Sequence, residues 1–247
     1  MITNIEQSLN GGYLPLYGEI VDKDIHRLRN VEDIVSVNDP SFIHEHGHSR
    51  GFDFTPDVIF DLGANVGIFS RYARSLFPDA LIVAIEPDAN NCHIFKKFTA
   101  DSRIILIEKA IGCGVIYHCE GAVNGSGEVY LSAGSGFDEL HLNEMARITP
   151  VESVTLPELR SFINKGDKTI LKMDIEGNEQ AVLCDDKSIE FLKTIDYFVL
   201  ELHYYAQNHE SVDKVKDTIN RAVKLFEETH EVSYGDIGYL FACKKTK

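Results

Sequence analysis

The sequence predicts an α/β protein with a mostly parallel β-sheet covered by helices on both faces. Three observations carry this. Short, near-continuous apolar runs recur at DVIFDLG (57–63), ALIVAIEP (80–87), RIILIEKAI (103–111), TILKMDIEG (169–177) and IDYFVLELH (195–203). Apolar runs without polar alternation mark strands buried on both faces, as in a parallel sheet. Between the first three runs lie IFSRYARSLF (68–77) and NNCHIFKKF (90–98), with helical spacing, which is the strand–helix alternation of crossover connections. The chain ends in HEVSYGDIGYLFACKK, an antiparallel pair turning at Gly235–Asp236 with a strand that ends at Cys243.

The remaining elements follow in order. Residues 1–55 are polar, weakly periodic and rich in turn residues, and read as a small N-terminal cap. Residues 56–247 form the main domain, and 247 residues suit one large domain plus a cap. Seven glycines lie between Gly112 and Gly136, around two short strand signals, GVIYHC and GEVYL. These suggest a glycine-rich hairpin and a mobile loop. VESVTLPELRSFI (151–163) reads as a strand followed by a helix with Pro157 in its first turn. In SVDKVKDTINRAVKLFEE, Val212, Val215, Ile219, Ala222, Val223 and Phe226 share one helix face.

Composition narrows the function. At 44% hydrophobic and 26% charged, the chain is neither collagen-like nor mainly disordered. Its 24 basic and 39 acidic residues give a formal charge of −15, which repels phosphate backbones and anionic membranes, so no nucleic-acid partner is expected. No apolar run reaches the ~20 residues of a bilayer span, and the first twenty residues lack the basic start and apolar stretch of a signal peptide. Five cysteines without a C-x-x-C pair suit reduced thiols. Together these suggest a cytoplasmic protein. Nothing in the sequence specifies an oligomeric state.

DLGANVG (61–67) joins the first strand to the first helix. Ligands of open α/β sheets bind beyond the carboxyl ends of the strands. Glycine there admits close backbone approach, and the helix N-terminus offers free N–H groups. In a G-x-G-x-x-G register starting at Gly63, Asn65 and Ile68 replace the second and third glycines, and no G-x-x-x-x-G-K is present. The remaining pattern, with Asp61, Gly63, Ala64, Asn65 and Gly67, suits a ligand without phosphates. Glu86 ends the second strand, where a carboxylate accepts both hydroxyls of a ribose. A phosphate-free nucleoside bound in this way suggests S-adenosyl-L-methionine. Read structurally instead, a strand–turn–helix with glycines exists without any ligand.

VIFDLGANVGIFS (58–70), AIEPDANN (84–91), VTLPEL (154–159), LKMDIEGNEQAVL (171–183) and LELH (200–203) resemble the FkbM family of S-adenosylmethionine-dependent methyltransferases, over residues 56–205. The K-x-D-x-E-G-x-E run is the more specific mark. The resemblance implies a class I methyltransferase (Rossmann-like) fold, with a seven-stranded sheet whose last strand is antiparallel. It also implies O-methylation of a hydroxyl, often on a sugar or natural product. Residues 1–55 and 112–150 lie outside it and are expected to choose the acceptor.

Asp174 ends the fourth long strand, Glu176 and Glu179 follow it, and Glu201 and His203 end the fifth. Strands lie ~4.8 Å apart, so these groups can share one rim. Methyl transfer to a hydroxyl needs an aligned oxygen and a proton acceptor, and Asp174 or His203 is the candidate. Asp174 also belongs to the expected cofactor site. Structurally, Glu176 and Glu179 can instead be helix caps. A divalent cation on Asp174, Glu176, Glu201 and His203 is an alternative use of the rim, although S-adenosyl-L-methionine is the only cofactor expected. Lys172 is expected to face away from Asp174 and to pair with an acid or snorkel. His44, His46 and His48 form an H-x-H-x-H run that reads as a solvated loop leading toward the first strand.

The expected function is therefore S-adenosylmethionine-dependent O-methylation of a small-molecule or glycan acceptor: a sugar, a glycan precursor or a secondary metabolite. The alternatives are a nucleotide-dependent oxidoreductase, disfavoured by Asn65 and Ile68, and a non-catalytic S-adenosylmethionine-binding module.

Overall fold

A computed structural model describes residues 54–112, 114, 116–120, 128–132, 147–202, 209–234 and 239–245. The N-terminal cap assigned to residues 1–55, with the histidine run at His44, His46 and His48, falls outside them save for its last two residues.

Seven strands form the main sheet: β1 (Val58–Leu62), β2 (Leu81–Ile85), β3 (Ile104–Ile107), β9 (Thr169–Met173), β10 (Tyr197–Glu201), β11 (His230–Tyr234) and β12 (Tyr239–Lys244). Their spatial order is β11-β12-β10-β9-β1-β2-β3. β1 pairs in parallel with β2 and β9, and β10 with β9. The last strand, β12, runs antiparallel to β10 and β11 and lies between them.

All five residues of β1 are buried, as the unalternating apolar run requires. Phe60 and Leu62 join Leu171, Phe198 and Leu200 on one face of the sheet. Ile59 joins Ile82, Ile170, Val199 and Phe241 on the other. Helix α1 (Ile68–Leu76) packs Phe69, Tyr72 and Ala73 onto the second face. Helix α2 (Ala89–Phe98) sets Phe95 beside Ala64 and Ala84, and Asp88 caps it by accepting from the Asn90 and Asn91 N–H groups at 2.9 and 2.8 Å. The first face carries α3 (Glu179–Cys184), α4 (Asp186–Leu192), α5 (His209–Phe226) and a 3-10 helix (Leu156–Phe162). Phe191 meets Phe60 edge-on at 6.1 Å, and Phe226 meets Phe198 at 5.0 Å. On α5, Ile219, Ala222, Val223 and Phe226 are buried, as their spacing predicts.

The sequence reading departs from the structure in three places. The third apolar run is two strands: β3 stops at Ile107, and β4 (Ala110–Ile111) pairs with β8 (Ser153–Val154) in a separate two-stranded sheet. The hairpin β5 (Ile116–Glu120) and β6 (Glu128–Ser132) gains a third strand, β7 (Arg147–Val151). Pro150 hides that strand in the sequence, and β7 tolerates it because it lies at the edge of the three-stranded sheet. The helix over 151–163 is a 3-10 helix; Glu158 accepts from the Thr155 N–H and hydroxyl, both at 2.7 Å, across its first turn. Residues 179–192 form two helices, divided at Asp185, whose carboxylate accepts from the Ser188 N–H at 2.9 Å. Among the described residues, no helix is long and apolar enough to cross a membrane.

Candidate functional site

The site is built from the carboxyl ends of β2, β1, β9 and β10, neighbours in the sheet. After Leu62 the chain bends over the end of β2, where the Gly63 and Ala64 N–H groups both donate to the Ile85 carbonyl at 2.9 Å. The backbone is left-handed at Gly63 (φ 77°), Asn65 (φ 50°) and Gly67 (φ 89°), and asparagine is among the few non-glycine residues that tolerate this region. Asn65 is exposed, and its own Oδ1 accepts from the Val66 N–H at 2.7 Å. A Cβ on Gly67 would stand 2.6 Å from the Phe95 ring. This glycine is therefore demanded by the packing of α2 as well as by its φ.

Glu86 follows β2 and is 4% exposed. Its Oε2 accepts from the Asn65 N–H at 2.8 Å, and its Oε1 accepts from the Asp88 N–H at 3.0 Å and the Asn91 side-chain amide at 3.2 Å. These three donors take three of a carboxylate's roughly four lone-pair sites. The expectation that it accepts both ribose hydroxyls is thus narrowed to room for one. Burial pushes its carboxyl up to about 7, against the lowering effect of those hydrogen bonds.

Asp61 is wholly buried. The Ser70 hydroxyl donates to its Oδ2 at 2.6 Å. Its Oδ1 has no hydrogen-bond partner among the described residues and faces the Lys172 ammonium at 3.6 Å. Burial raises the Asp61 carboxyl above its ordinary range, and Lys172 and the Ser70 hydroxyl oppose it. Lys172, 2% exposed, also lies 3.5 Å from Asp174 Oδ2 and donates to the Gly63 carbonyl at 3.0 Å. The expected divergence of Lys172 from Asp174 is overturned, because residues two apart on an extended chain share a side. Burial pulls the Lys172 ammonium down, but Asp174, Asp61 and Glu201 outweigh it, and the net direction is upward. Lys172 does pair with acids, as its burial demands.

The acids after β9 divide by role. The Asp174 side chain is 18% exposed, and its N–H continues the β1 ladder by donating to the Leu62 carbonyl at 3.0 Å. Glu176 is half-buried with a left-handed φ of 55°. Glu179 is buried and folds back, accepting from the Ile175 N–H at 3.0 Å and the Gly177 N–H at 3.1 Å. It therefore anchors the turn that precedes α3, whose N-cap is Asn178. Glu201 accepts the Tyr239 hydroxyl across the β10–β12 pair at 2.9 Å. His203 lies outside the described residues. Among those that are described, no three His, Cys, Asp or Glu residues gather to hold a metal ion.

Sequence reasoning missed the hub role of Lys172 and the supports Ser70, Asn91, Asn178 and Tyr239. Asn178 is buried and donates to the Ile111 carbonyl at 2.6 Å, tying the turn after β9 to β4. The two-residue period of the strand was the available signal for Lys172. The others depend on contacts between segments distant in sequence, which no local pattern reveals.

Residues 61–230 match the model of the methyltransferase FkbM domain family. No curated protein matches the chain. Among solved structures, it is similar to an FkbM methyltransferase from Methylobacillus flagellatus, with 15% identity, 93% of this chain and 58% of that chain covered, and a TM-score of 0.48. The chain thus spans little more than half the length of that protein. It is also similar to Aeropyrum pernix fibrillarin with natively bound S-adenosyl-L-methionine (12% identity, 76% of this chain and 66% of that chain, TM-score 0.41). A third is human N-acetylserotonin methyltransferase in complex with S-adenosylmethionine (14% identity, 97% of this chain and 62% of that chain, TM-score 0.41).

Proposed function

Because this chain belongs to the methyltransferase FkbM domain family, we propose that it is an S-adenosylmethionine-dependent O-methyltransferase. The acceptor is a hydroxyl of a sugar, glycan precursor or secondary metabolite. The observation that carries the reading is the hydrogen bond from the Asn65 N–H to Glu86. It joins the loop after β1 to the acid after β2 at the carboxyl edge of a parallel sheet, where nucleosides bind.

The residues present fit such a ligand. Glu86 keeps acceptor capacity for a ribose hydroxyl, and the exposed Asn65 and the loop from Gly63 through Ala64 to Gly67 offer backbone for close approach. Asn65 and Ile68 stand where a dinucleotide-binding turn has glycines, so the oxidoreductase alternative gains no support. When bound, S-adenosylmethionine supplies an electrophilic methyl group on a sulfonium. The chain's part is to orient both partners and to take the hydroxyl proton. Asp174 or His203 accepts that proton, and the partial exposure of the Asp174 side chain supports its candidacy. Asp61 acts from beneath, by holding Lys172 and Ser70.

Calorimetric titration with S-adenosylhomocysteine tests this. We expect binding to the wild-type chain and its loss in Glu86→Ala. A correctly folded wild-type chain that does not bind it contradicts the assignment. Transfer of labelled methyl from S-adenosylmethionine to a panel of sugars and phenols then tests the acceptor class, and labelling confined to amines would overturn the hydroxyl.

A further inference from the structure

Glu86 has fewer acceptor positions to give a ribose than a bare carboxylate, which has about four, two on each oxygen. Oε1 is filled: the Asp88 N–H donates to it at 3.0 Å and the Asn91 side-chain amide at 3.2 Å. Oε2 is half filled, by the Asn65 N–H at 2.8 Å. The two backbone donors are fixed by the path of the chain. Asn65 lies in the left-handed bend after β1, and Asp88 is the N-cap of α2. Asn91 differs, because its donor is a side chain. It is held in place nonetheless: its own N–H donates to Asp88 Oδ1 at 2.8 Å, which sets it in the first turn of α2 with its amide on Glu86. The Cys92 thiol donates to the Glu86 carbonyl at 3.2 Å and ties the backbone of the acid to the same turn. Buried and bound at both oxygens, the carboxylate is a fixed acceptor with one open position.

Resting on the preceding reading of this chain as an S-adenosylmethionine-dependent enzyme, we propose that Glu86 binds one ribose hydroxyl and not two, at Oε2 beside the Asn65 N–H, and that Asn91 is the positioning residue that denies the second. A ribose offers neighbouring 2′ and 3′ hydroxyls. One carboxylate can take both only if each of its oxygens has an open position, and here the Asn91 amide closes Oε1. One hydroxyl is then held by a charge-assisted hydrogen bond, and the other is left to water. The chain thereby tells the two hydroxyls apart, and tolerates a ligand that lacks the second. Because the bound hydroxyl and the Asn65 N–H share one oxygen, the ribose and the loop after β1 are read by the same atom.

The test needs no acceptor. The wild-type chain is titrated by calorimetry at pH 8, above the value of about 7 to which burial raises the Glu86 carboxyl. The probes are S-adenosylhomocysteine and its 2′-deoxy and 3′-deoxy analogues. One analogue should bind at least about tenfold more weakly than the parent, the order of one hydrogen bond to a charged group, and the other within about threefold of it. In Asn91→Ala the opened position on Oε1 should accept the second hydroxyl, and the tolerated analogue should fall to at least about fivefold weaker than the parent, on the same hydrogen-bond scale. Equal losses for both analogues in the wild-type chain overturn the proposal, and this comparison needs no variant to fold. Losses under about threefold for both overturn it as well, because the ribose then makes no charge-assisted bond. A folded Asn91→Ala that still tolerates the second analogue overturns the role of Asn91. In each of these cases S-adenosylhomocysteine itself binds and the methyltransferase reading stands. Failure of the parent compound to bind the wild-type chain removes that reading, and this proposal with it.

Discussion

The carbonyl oxygen of Asp174 lies 1.7 Å from the point that a Cβ on Gly63 would occupy. The first residue of the loop after β1 and the acid after β9 are thus in backbone contact, and nothing larger than glycine fits between them. Gly63 also has a φ of 77°, which strains any other residue. We expect Gly63→Ala to destabilise the protein by more than about 3 kcal/mol, since strain and a backbone clash add. Urea unfolding measures this, and a loss under about 0.5 kcal/mol, the range of neutral surface changes, would show that β1 and β9 part readily.

On the proposed function, Glu86 should couple ligand binding to pH. Burial raises its carboxyl to about 7, above the ordinary value of 4.5. The folded chain then holds a proton that the unfolded chain has released, so this group's stabilising contribution is full below 4.5 and is lost as pH rises through about 7. A ribose hydroxyl donating to the carboxylate favours its ionised form. S-adenosylhomocysteine affinity should accordingly rise between pH 6 and 8, with proton release seen as a dependence of binding heat on the buffer at pH 6.5. Glu86→Gln is not conservative here: each oxygen already accepts from a backbone N–H, and an amide must turn a donor toward one of them. A pH-independent affinity in the wild-type chain would remove the carboxylate from the binding site.

Much of this was legible in the sequence, and the limits have physical causes. The unalternating runs of β1, β2, β9 and β10 reported their own burial on two faces. The loop after β1 was legible as a ligand-facing bend through Gly63 and Gly67, but its left-handed backbone at Asn65 was not, because asparagine there read as a missing glycine. Glu86 was legible because a single acid ends an otherwise apolar strand. Lys172 was misplaced because residues two apart on the strand were read as facing opposite ways, whereas the strand period puts Lys172 and Asp174 on one side; its expected pairing with an acid is seen at Asp61 and Asp174. Glu179 read as a rim acid with a helix cap as the alternative, and only the geometry at Gly177 shows it holding the turn before α3. β7 went unseen because Pro150 masks an edge strand, and the split between β3 and β4 because their apolar residues run almost continuously across a turn at Lys109.

His230 opens the far edge of the sheet and should make the fold acid-sensitive. Its Nε2–H donates to the Ile195 carbonyl at 2.8 Å, and the Thr229 hydroxyl donates to its Nδ1 at 2.8 Å, the pattern of a neutral ring. The ring packs against Phe198 with centroids 5.2 Å apart. Burial lowers its pKa below 6.5, against the Ile195 hydrogen bond. The unfolded chain therefore binds the proton more readily, and this contribution is full above 6.5 and lost as pH falls below it. Glu86 has the opposite slope in part of that range, so the comparison is with His230→Gln. Its stability should fall less than that of the wild type between pH 6.5 and 5, and equal slopes in denaturant unfolding would show that His230 does not titrate there.

Lys172 and Asp61 form an enclosed ion pair at 3.6 Å, in which Lys172 is the chief cation facing Asp61 while Asp174 also holds it at 3.5 Å. Removing one partner of such a pair strands the other charge, at a cost of about 3–5 kcal/mol, while replacing both with neutral groups is often tolerated. Lys172→Met should therefore unfold at markedly lower urea, since Asp61 has only the Ser70 hydroxyl left among the partners described above. Asp61→Asn alone should be milder, because Asp174 continues to hold the ammonium at 3.5 Å. The double variant should recover about 1–3 kcal/mol relative to the sum of the single changes, the range for residues in contact. Additive losses in the double-mutant cycle would mean that Lys172 supports the loop through the Gly63 carbonyl alone, and that its charge is balanced wholly by Asp174 and Glu201.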